Sequence, residues 1–330
     1  MAVDQLLAIT EEVGTALAER RPVVALESSL VTHAPSVDAA LAIEKAVRDG
    51  GAVPATIGIL DGRLLVGLDA DQIERLRTTA GVPKVSARDI GPVLAGGGPG
   101  ATTVAGTIVI AERAGIPVFA TAGIGGVHRR AQQTFDISPD LLQFTRTRIT
   151  VVCGGAKSIL DARLTAEYLE TAGVPVLGHG TDRLPGFYAR ATEVPVRRVD
   201  DVRQAARAVL AHWEVTGGGT VLLTTPVAEE DALDAEVIET AIVRALAEAD
   251  AAGVTGNAVS PFLMKAVSRV TEGRTAKAGR SLLLSTARLA GELSVALSAL
   301  AGNEQQAGTQ VAAQHAGARP AYEQAAGEWR

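Results

Sequence analysis

A recurring unit constrains this chain more than anything else in it: a short apolar run, a glycine or polar turn, then a stretch with helical periodicity. Pro22 to Glu27 reads as a buried strand that enters the polar loop Ser28 to His33, with a helix over Asp38 to Asp49. Pro54 to Leu60 and Arg63 to Val66 flank Asp61-Gly62, a dipeptide that favours a tight hairpin. Asp69 to Thr79 is helical, and Val82 to Ser86 is a short strand carrying Lys84. A glycine-rich loop, Gly96 to Gly100, precedes a helix over Thr102 to Ala114. Ile116 to Thr121 is a strand running into a second glycine-rich loop, Ala122 to Val127. Pro139 to Thr147 reads as helix and Ile149 to Cys153 as strand. Gly154-Gly155-Ala156-Lys157 then turns into a helix over Ser158 to Ala172, closed by Gly173.

Beyond the strand Val174 to Gly178, strands are expected at Val196 to Val199 and Thr220 to Thr224, around a helix at Asp201 to Val215. Long helices follow at Asp231 to Ala252, Val259 to Glu272 and Ser281 to Leu300. Asn303 to Arg330 is rich in Ala, Gln and Gly with little periodicity and reads as a tail. No linker-like break interrupts the alternation, so we expect one α/β domain over residues 1–302 with a helical C-terminal layer. Apolar residues make up 47% of the chain and aromatic ones only 3%, which suits parallel strands of Val and Leu covered by Ala-rich helices.

Charge and cysteine content narrow the function classes. A net charge of −6 without a basic run argues against nucleic-acid polymers and anionic membranes as partners. The single cysteine, Cys153, excludes an intrachain disulfide and a multi-thiolate zinc cluster. The N-terminal segment has no basic region followed by an apolar core, so no signal peptide is expected, and the cytoplasm is the expected compartment.

Ligand sites of open α/β sheets lie at the carboxyl ends of strands. Glu27, Lys84, the loop from Ala122 to His128, and Lys157 are all expected there. Lys157 stands out because lysine seldom follows an apolar strand and a tight glycine turn. Desolvation and a helix N-terminus would both favour its neutral amine, the form that Schiff-base chemistry requires. The ordinary alternative is a surface lysine or a plain phosphate-binding charge. A P-loop is excluded, since the glycine positions of that pattern hold Ala156 and Val151.

The run Gly123 to Arg130 places His128, Arg129 and Arg130 after a tight backbone segment, whereas a lone histidine is more often structural. Phe135-Asp136-Ile137-Ser138-Pro139-Asp140 carries two carboxylates at a helix start. Capping is their ordinary role, and a water-rich site for Mg²⁺ or Mn²⁺ is the functional one. Glu27, closing a buried strand, suits general acid work if its pKa is raised; a strand-end residue facing water is the plain reading.

Several stretches together resemble the pseudouridine-5′-phosphate glycosidases, the indigoidine synthase A-like group. They include ALESSLVTH (25–33), GAVPATIGILDGRLLVGL (51–68), KVSARD (84–89), GATTVAGT (100–107) and VFATAGIGGVHR (118–129). They continue with TFDISPDL (134–141), VVCGGAKSILD (151–161), EYLETAGVPVLGHGTDRLPGFY (167–188) and SPFL (260–263). The resemblance implies an α/β/α layered domain, a homotrimer, and chemistry at the carbon–carbon bond between C1 of ribose 5-phosphate and a uracil carbon. It makes Lys157 the Schiff-base lysine, Glu27 the proton donor, His128 a histidine of the site and Asp136 the Mn²⁺ ligand. Lys84, Val104, Ser138, Pro139 and Asp140 fall on substrate-binding positions.

The chain also departs from the family. The loop after Thr32-His33 is shorter, Ala122 and Arg130 replace glycines, and Thr225-Pro226 stands for Asn-Pro. Gly279 stands where the family has an asparagine, and Ser285-Thr286 where it has an Asn-Asn pair. Losing an amide that could pair with a uracil edge disfavours uracil. These departures resemble a C-glycosynthase joining ribose 5-phosphate to a larger aromatic acceptor, as in alnumycin-type polyketide biosynthesis, with room for the acceptor at Gly279. Pseudouridine 5′-phosphate cleavage is the close alternative, and a phosphosugar-binding protein without turnover is the alternative of another class.

Overall fold

The computed structural model describes residues 6–316. Its frame is one mixed sheet in the order β1-β4-β3-β2-β7-β8-β11-β9-β10. The central strands are β2 (Val23–Glu27), β3 (Val53–Leu60), β7 (Val118–Ala120), β8 (Thr150–Cys153), β9 (Val176–His179), β10 (Arg197–Val199) and β11 (Val221–Thr224). From β3 across to β10 every neighbouring pair is parallel. The antiparallel exception lies at one side: β3 pairs with β4 (Arg63–Val66) through the turn Asp61-Gly62, whose φ angles of 52° and 69° are the left-handed ones a tight hairpin needs. β1 (Leu7–Ile9), which the sequence pattern did not reveal, forms the edge beside β4.

Period-2 alternation separates two cores. In β2, Val23 and Ala25 join one apolar cluster while Val24 and Leu26 join the other. In β8, Val151 and Cys153 go to the first and Val152 to the second. Both faces are therefore buried, as a parallel sheet requires, and helices cover each. The first face is covered by α1 (Glu11–Ala18), α5 (Val104–Ala114), α7 (Pro139–Phe144), α8 (Ala162–Thr171), α10 (Ala235–Ala251) and α11 (Val259–Val270). The second is covered by α2 (Val37–Asp49), α9 (Val202–Thr216) and α12 (Arg274–Ala316). This is the single α/β/α domain expected from the sequence.

Three short helices complete the set: α3 (Ala70–Thr78), α4 (Ile90–Gly96) and α6 (Ala131–Thr134). The C-terminal helix begins at Arg274, earlier than the expected Ser281, and continues to Ala316, into the segment read as a tail; residues 317–330 lie outside the described residues. By length and composition Arg274–Gly302 could cross a bilayer, but 56% of its most apolar window is buried in this fold, and it is a core helix. It crosses α2 at a glycine pair: a Cβ on Gly50 would lie 2.3 Å from the Arg288 carbonyl oxygen, and one on Gly291 would lie 2.6 Å from that of Val47.

Two small strands form an annex that positions the site. β5 (Lys84–Val85) runs parallel to β6 (Gly100–Thr102), which pairs antiparallel with β3 at Gly58 and Ile59. Thr102 thus belongs to a strand and the helix after it starts at Val104, which corrects the expected helix over 102–114. Thr102 latches the annex to the loop after β2: its N–H donates to Ser28 Oγ (2.9 Å), its hydroxyl to the Ile57 carbonyl (2.7 Å), and its carbonyl accepts from Ser29 N–H (3.0 Å).

Candidate active site

The loops after β2, β7 and β8, which are neighbours in the sheet, meet at its carboxyl edge. With the annex and the start of α11 they enclose a cavity of ≈ 580 Å³. Glu27, Lys84, Val104, His128, Asp136, Ser138, Pro139, Asp140 and Lys157 all line it, whereas Arg129 and Arg130 of the run after Gly123 do not. Its lining has two characters. Lys84 and Arg88 bring cations to the annex end, Asp89 at 3.5 Å from Arg88 offsetting part of that charge, whereas Ile137, Leu160 and Pro261 make the end around His128 apolar.

Glu27 is only 6% exposed. Its carboxylate accepts hydrogen bonds from the hydroxyls of Ser29 and Thr121, the latter at 2.6 Å. Burial raises its pKa above the usual carboxylate range. The Lys157 charge and the two hydroxyls pull it back, and the Asp140 charge adds to the rise. Ser29 and Thr121 were not singled out in the sequence, although both sit inside the quoted runs ALESSLVTH and VFATAGIGG.

Lys157 is half-buried. Its loop is zipped to the loop after β7: Ile124 bridges Ala156, His128 bridges Leu160, and Lys157 N–H donates to the Ile124 carbonyl at 3.1 Å. The expected helix from Ser158 does not form there. Asp161 caps a helix that starts only at Ala162, its side chain accepting from Leu164 N–H, so Lys157 stands a full turn outside the helix and the dipole argument does not apply to it. The glycine turn itself is as tight as expected: Gly155 has φ 87°, and a Cβ there would lie 2.4 Å from the Pro185 carbonyl oxygen.

Lys84 opens its strand rather than closing it, because β5 lies off the main sheet. Although the residue is exposed overall, its ammonium pKa is lowered, first by the desolvation of its place in the cavity and then by the Lys157 charge, with Glu27 opposing. The loop Gly96–Gly100 leads into β6, not into a helix, so it offers no helix-start anion site.

Asp140, 5% exposed, has both carboxylate oxygens engaged. One accepts from Ala105 N–H at the start of α5 (3.0 Å) and the other from Gly125 N–H (2.8 Å). Its own helix is capped by Ser138, so Asp140 joins three segments around the cavity instead. His128 faces Asp136 with Nδ1 3.6 Å from Oδ2, and its Nε2 lies 3.4 Å from the Ser260 hydroxyl. Burial lowers the imidazole pKa, Asp136 opposes, and Lys157 reinforces the drop. Among the described residues no group of three or more His, Cys, Asp or Glu could hold a metal. Asp136, with its side chain 33% exposed, offers one carboxylate with open space beside it, which fits a hard cation held mostly by water.

The positions that depart from the family lie mostly outside the cavity lining. Gly279 on α12 is not among the lining residues; a Cβ there would meet Tyr188 Cε1 at 3.6 Å. The room expected at Gly279 is thus behind Tyr188 and does not open into the cavity. Ser285 is exposed, and Thr286 is buried with its hydroxyl on the Leu283 carbonyl. The short connection after His33 is used directly as a helix start, with Ser36 capping α2. Arg130 adopts φ 66°, a conformation that explains the family's glycine, and its guanidinium pairs with Asp250 at 2.5 Å.

A cavity of this size at the carboxyl edge of a mostly parallel sheet, with two lysines and a buried carboxyl in its lining, marks the chain as an α/β protein with a candidate active site. Comparison with known proteins makes this specific. Residues 12–296 match the family described as indigoidine synthase A like protein. The chain is 49% identical to the pseudouridine-5′-phosphate glycosidase of Dickeya dadantii, over 88% of this chain and 94% of the relative. With that of Caldanaerobacter subterraneus it shares 45% identity, over 90% and 99%. Among solved structures, the prealnumycin C-glycosynthase AlnA in complex with ribulose 5-phosphate is 67% identical with a TM-score of 0.88, covering 91% of this chain and 99% of that one. An indigoidine synthase A-like protein from Thermotoga maritima is 33% identical with a TM-score of 0.80, covering 89% and 97%. The chain belongs to the indigoidine synthase A-like family.

Proposed function

We propose that this protein is a C-glycosynthase that joins C1 of ribose 5-phosphate to a ring carbon of an aromatic acceptor larger than uracil. The observation that carries the chemistry is the buried Glu27 carboxyl, its pKa raised, sharing one cavity with Lys157 and a cationic end. Lys84 and Arg88 suit the sugar phosphate at that end, beside Val104 and the run Ser138 to Asp140. The apolar end around His128 suits an aromatic ring. The 67% identity to a C-glycosynthase, against 49% to a uracil-releasing glycosidase, favours the synthetic acceptor.

Protonated Glu27 gives its proton to the ring oxygen as the sugar opens, exposing C1 as an aldehyde. The Lys157 amine adds to C1, and loss of water leaves an iminium, an electron sink that spares the site a high-energy oxocarbenium ion. An electron-rich ring carbon adds to C1, and the proton it sheds passes to His128. The sugar's 4-hydroxyl then displaces the lysine nitrogen from C1; its proton returns to Glu27, and the proton held by His128 passes to the departing nitrogen, so the free Lys157 amine and neutral His128 are restored. Asp136 would hold a divalent cation such as Mn²⁺ or Mg²⁺, which supplies charge to orient sugar hydroxyls or phosphate oxygens.

The second reading is pseudouridine-5′-phosphate glycosidase activity, favoured by the same lysine and carboxyl and by the glycosidase relatives. One experiment addresses both. Borohydride with ribose 5-phosphate is expected to add the reduced sugar phosphate to the Lys157 peptide, read by mass spectrometry. Binding without that mass gain would sink the Schiff base and leave a phosphosugar-binding protein. Turnover assays with uracil and with electron-rich bicyclic arenes then compare acceptors; faster reaction of pseudouridine 5′-phosphate would establish the glycosidase instead.

A further inference from the structure

Part of the cavity wall, beside His128, does not come from the sheet. Gly256, Ser260 and Pro261 reach it from the hairpin of α10 and α11. This hairpin is internally tied, Arg269 on α11 pairing with Glu248 on α10 at 2.5 Å. Left-handed backbone at Glu272 and Gly273 separates it from α12. Its inner face, Ile238, Ile242 and Ala245 on α10 with Leu263 and Val267 on α11, packs into the core of the first sheet face.

Two consecutive arginines pair with the hairpin. Arg129 holds Glu239 on α10 with a two-pronged bond, 2.5 Å through Nη1 and 2.8 Å through Nη2, and Nη2 also reaches the Ser158 carbonyl at 3.4 Å. Arg130 holds Asp250 at the far end of the same helix. Arg129 therefore touches three things: the segment carrying His128, the residue after Lys157, and the hairpin. Glu239 is 52% exposed, and an ion pair open to water adds little to fold stability. A forked guanidinium–carboxylate pair does, however, fix direction as well as distance.

We propose that Arg129 is a positioning residue, acting with Glu239 to set the α10–α11 hairpin as the acceptor-side wall of the cavity. The proposal rests on the function above: the sugar is held at the Lys84 end, so displacement of Ser260 and Pro261 alters acceptor fit and leaves sugar capture unchanged. Arg129 also holds the Ser158 carbonyl, so its loss adds a slower capture step that loss of Glu239 does not.

The test uses the full-length enzyme with ribose 5-phosphate and 1,3-dihydroxynaphthalene as the probe acceptor, and pseudouridine 5′-phosphate in the cleavage direction. In Glu239→Gln we expect KM for the acceptor to rise on the order of tenfold, with borohydride capture at Lys157 at the wild-type rate. Arg129→Lys, which keeps the charge and loses the fork, is expected to raise the same KM and also to slow capture. The exchanged pair, Arg129→Glu with Glu239→Arg, is expected to recover part of the lost acceptor affinity relative to Arg129→Glu alone. Unchanged acceptor KM in Glu239→Gln overturns the inference, as does a fall in capture rate equal to the fall in coupling. If the wild type captures sugar yet couples no arene, the acceptor assignment fails. The hairpin is then read on KM for pseudouridine 5′-phosphate, where the same split is expected. Absence of capture in the wild type overturns both.

Discussion

At the scale of single residues, Glu27 shows how burial sets the proton affinity of one position. It is a carboxylate at the end of a strand buried on both faces, so ionising it costs solvation that two hydroxyls and a nearby lysine only partly return. A raised pKa means that the folded protein keeps a proton the unfolded chain gives up. Stability therefore falls as pH rises from the ordinary glutamate value of 4.5 toward the raised one, and levels off above it. Glu27→Gln removes that slope, because a neutral amide neither gains nor loses the proton. The variant's melting temperature is expected to gain on the wild type as pH rises through that window, in thermal scans across a pH series. Its coupling rate is expected to drop by roughly a hundredfold to ten-thousandfold, the usual worth of a positioned acid. A parallel pH dependence of melting in both proteins would rule out the raised carboxyl.

At the scale of elements, the site is a junction of short loops whose spacing is set by close approach. Gly125 is its tightest point: a Cβ there would lie 2.1 Å from Ser138 Oγ and 2.7 Å from Asp140 Oδ2. Neither atom can move cheaply, since Ser138 caps α7 and the Asp140 oxygen accepts from Gly125 itself. Gly125→Ala is expected to cost about 1–3 kcal/mol in urea unfolding. Sugar capture should weaken with it, because Asp140 also fixes the start of α5 beside Val104. An alanine variant of wild-type stability and capture would show the junction to be pliable.

At the scale of the molecule, one wall of the cavity comes from strand-end loops and the other from a helical hairpin joined to them by arginines. In the proposed reaction the sheet edge would supply the lysine and the hairpin the surface that meets the acceptor. The family resemblance implies a homotrimer, which light scattering on the purified protein is expected to report as three times the 33.9 kDa chain mass. A monomer active at the same rate would show that the cavity needs no second copy.

Much of this was legible in the chain itself, for physical reasons that act locally. Alternation in VVALE and TVVC, hairpin-forming Asp61-Gly62, and the glycine turn before Lys157 specify strands, a hairpin and a strand-end lysine through sterics and burial that nearby residues alone decide. The family motifs indicated the membership that the comparisons then established. What neighbours in sequence could not decide were the outcomes set by distant partners. Thr102 became a strand because Ile57 and Ser28 were there to bond it, and Asp140 turned from cap to tie because Ala105 and Gly125 lay within reach. Lys157 lost its expected helix because the carbonyls of Ile124 and Val127 took the N–H groups of Lys157 and Asp161. Gly279, legible only as a missing asparagine, proved to lie behind Tyr188. Sequence alone picked out candidate residues that prove to share one cavity, and roughly where along the strands they fall. Only the tertiary structure decided what surrounds each one, because burial and hydrogen-bond partners come from other segments, from 15 residues away for Gly125 and Asp140 to 74 for Ser28 and Thr102.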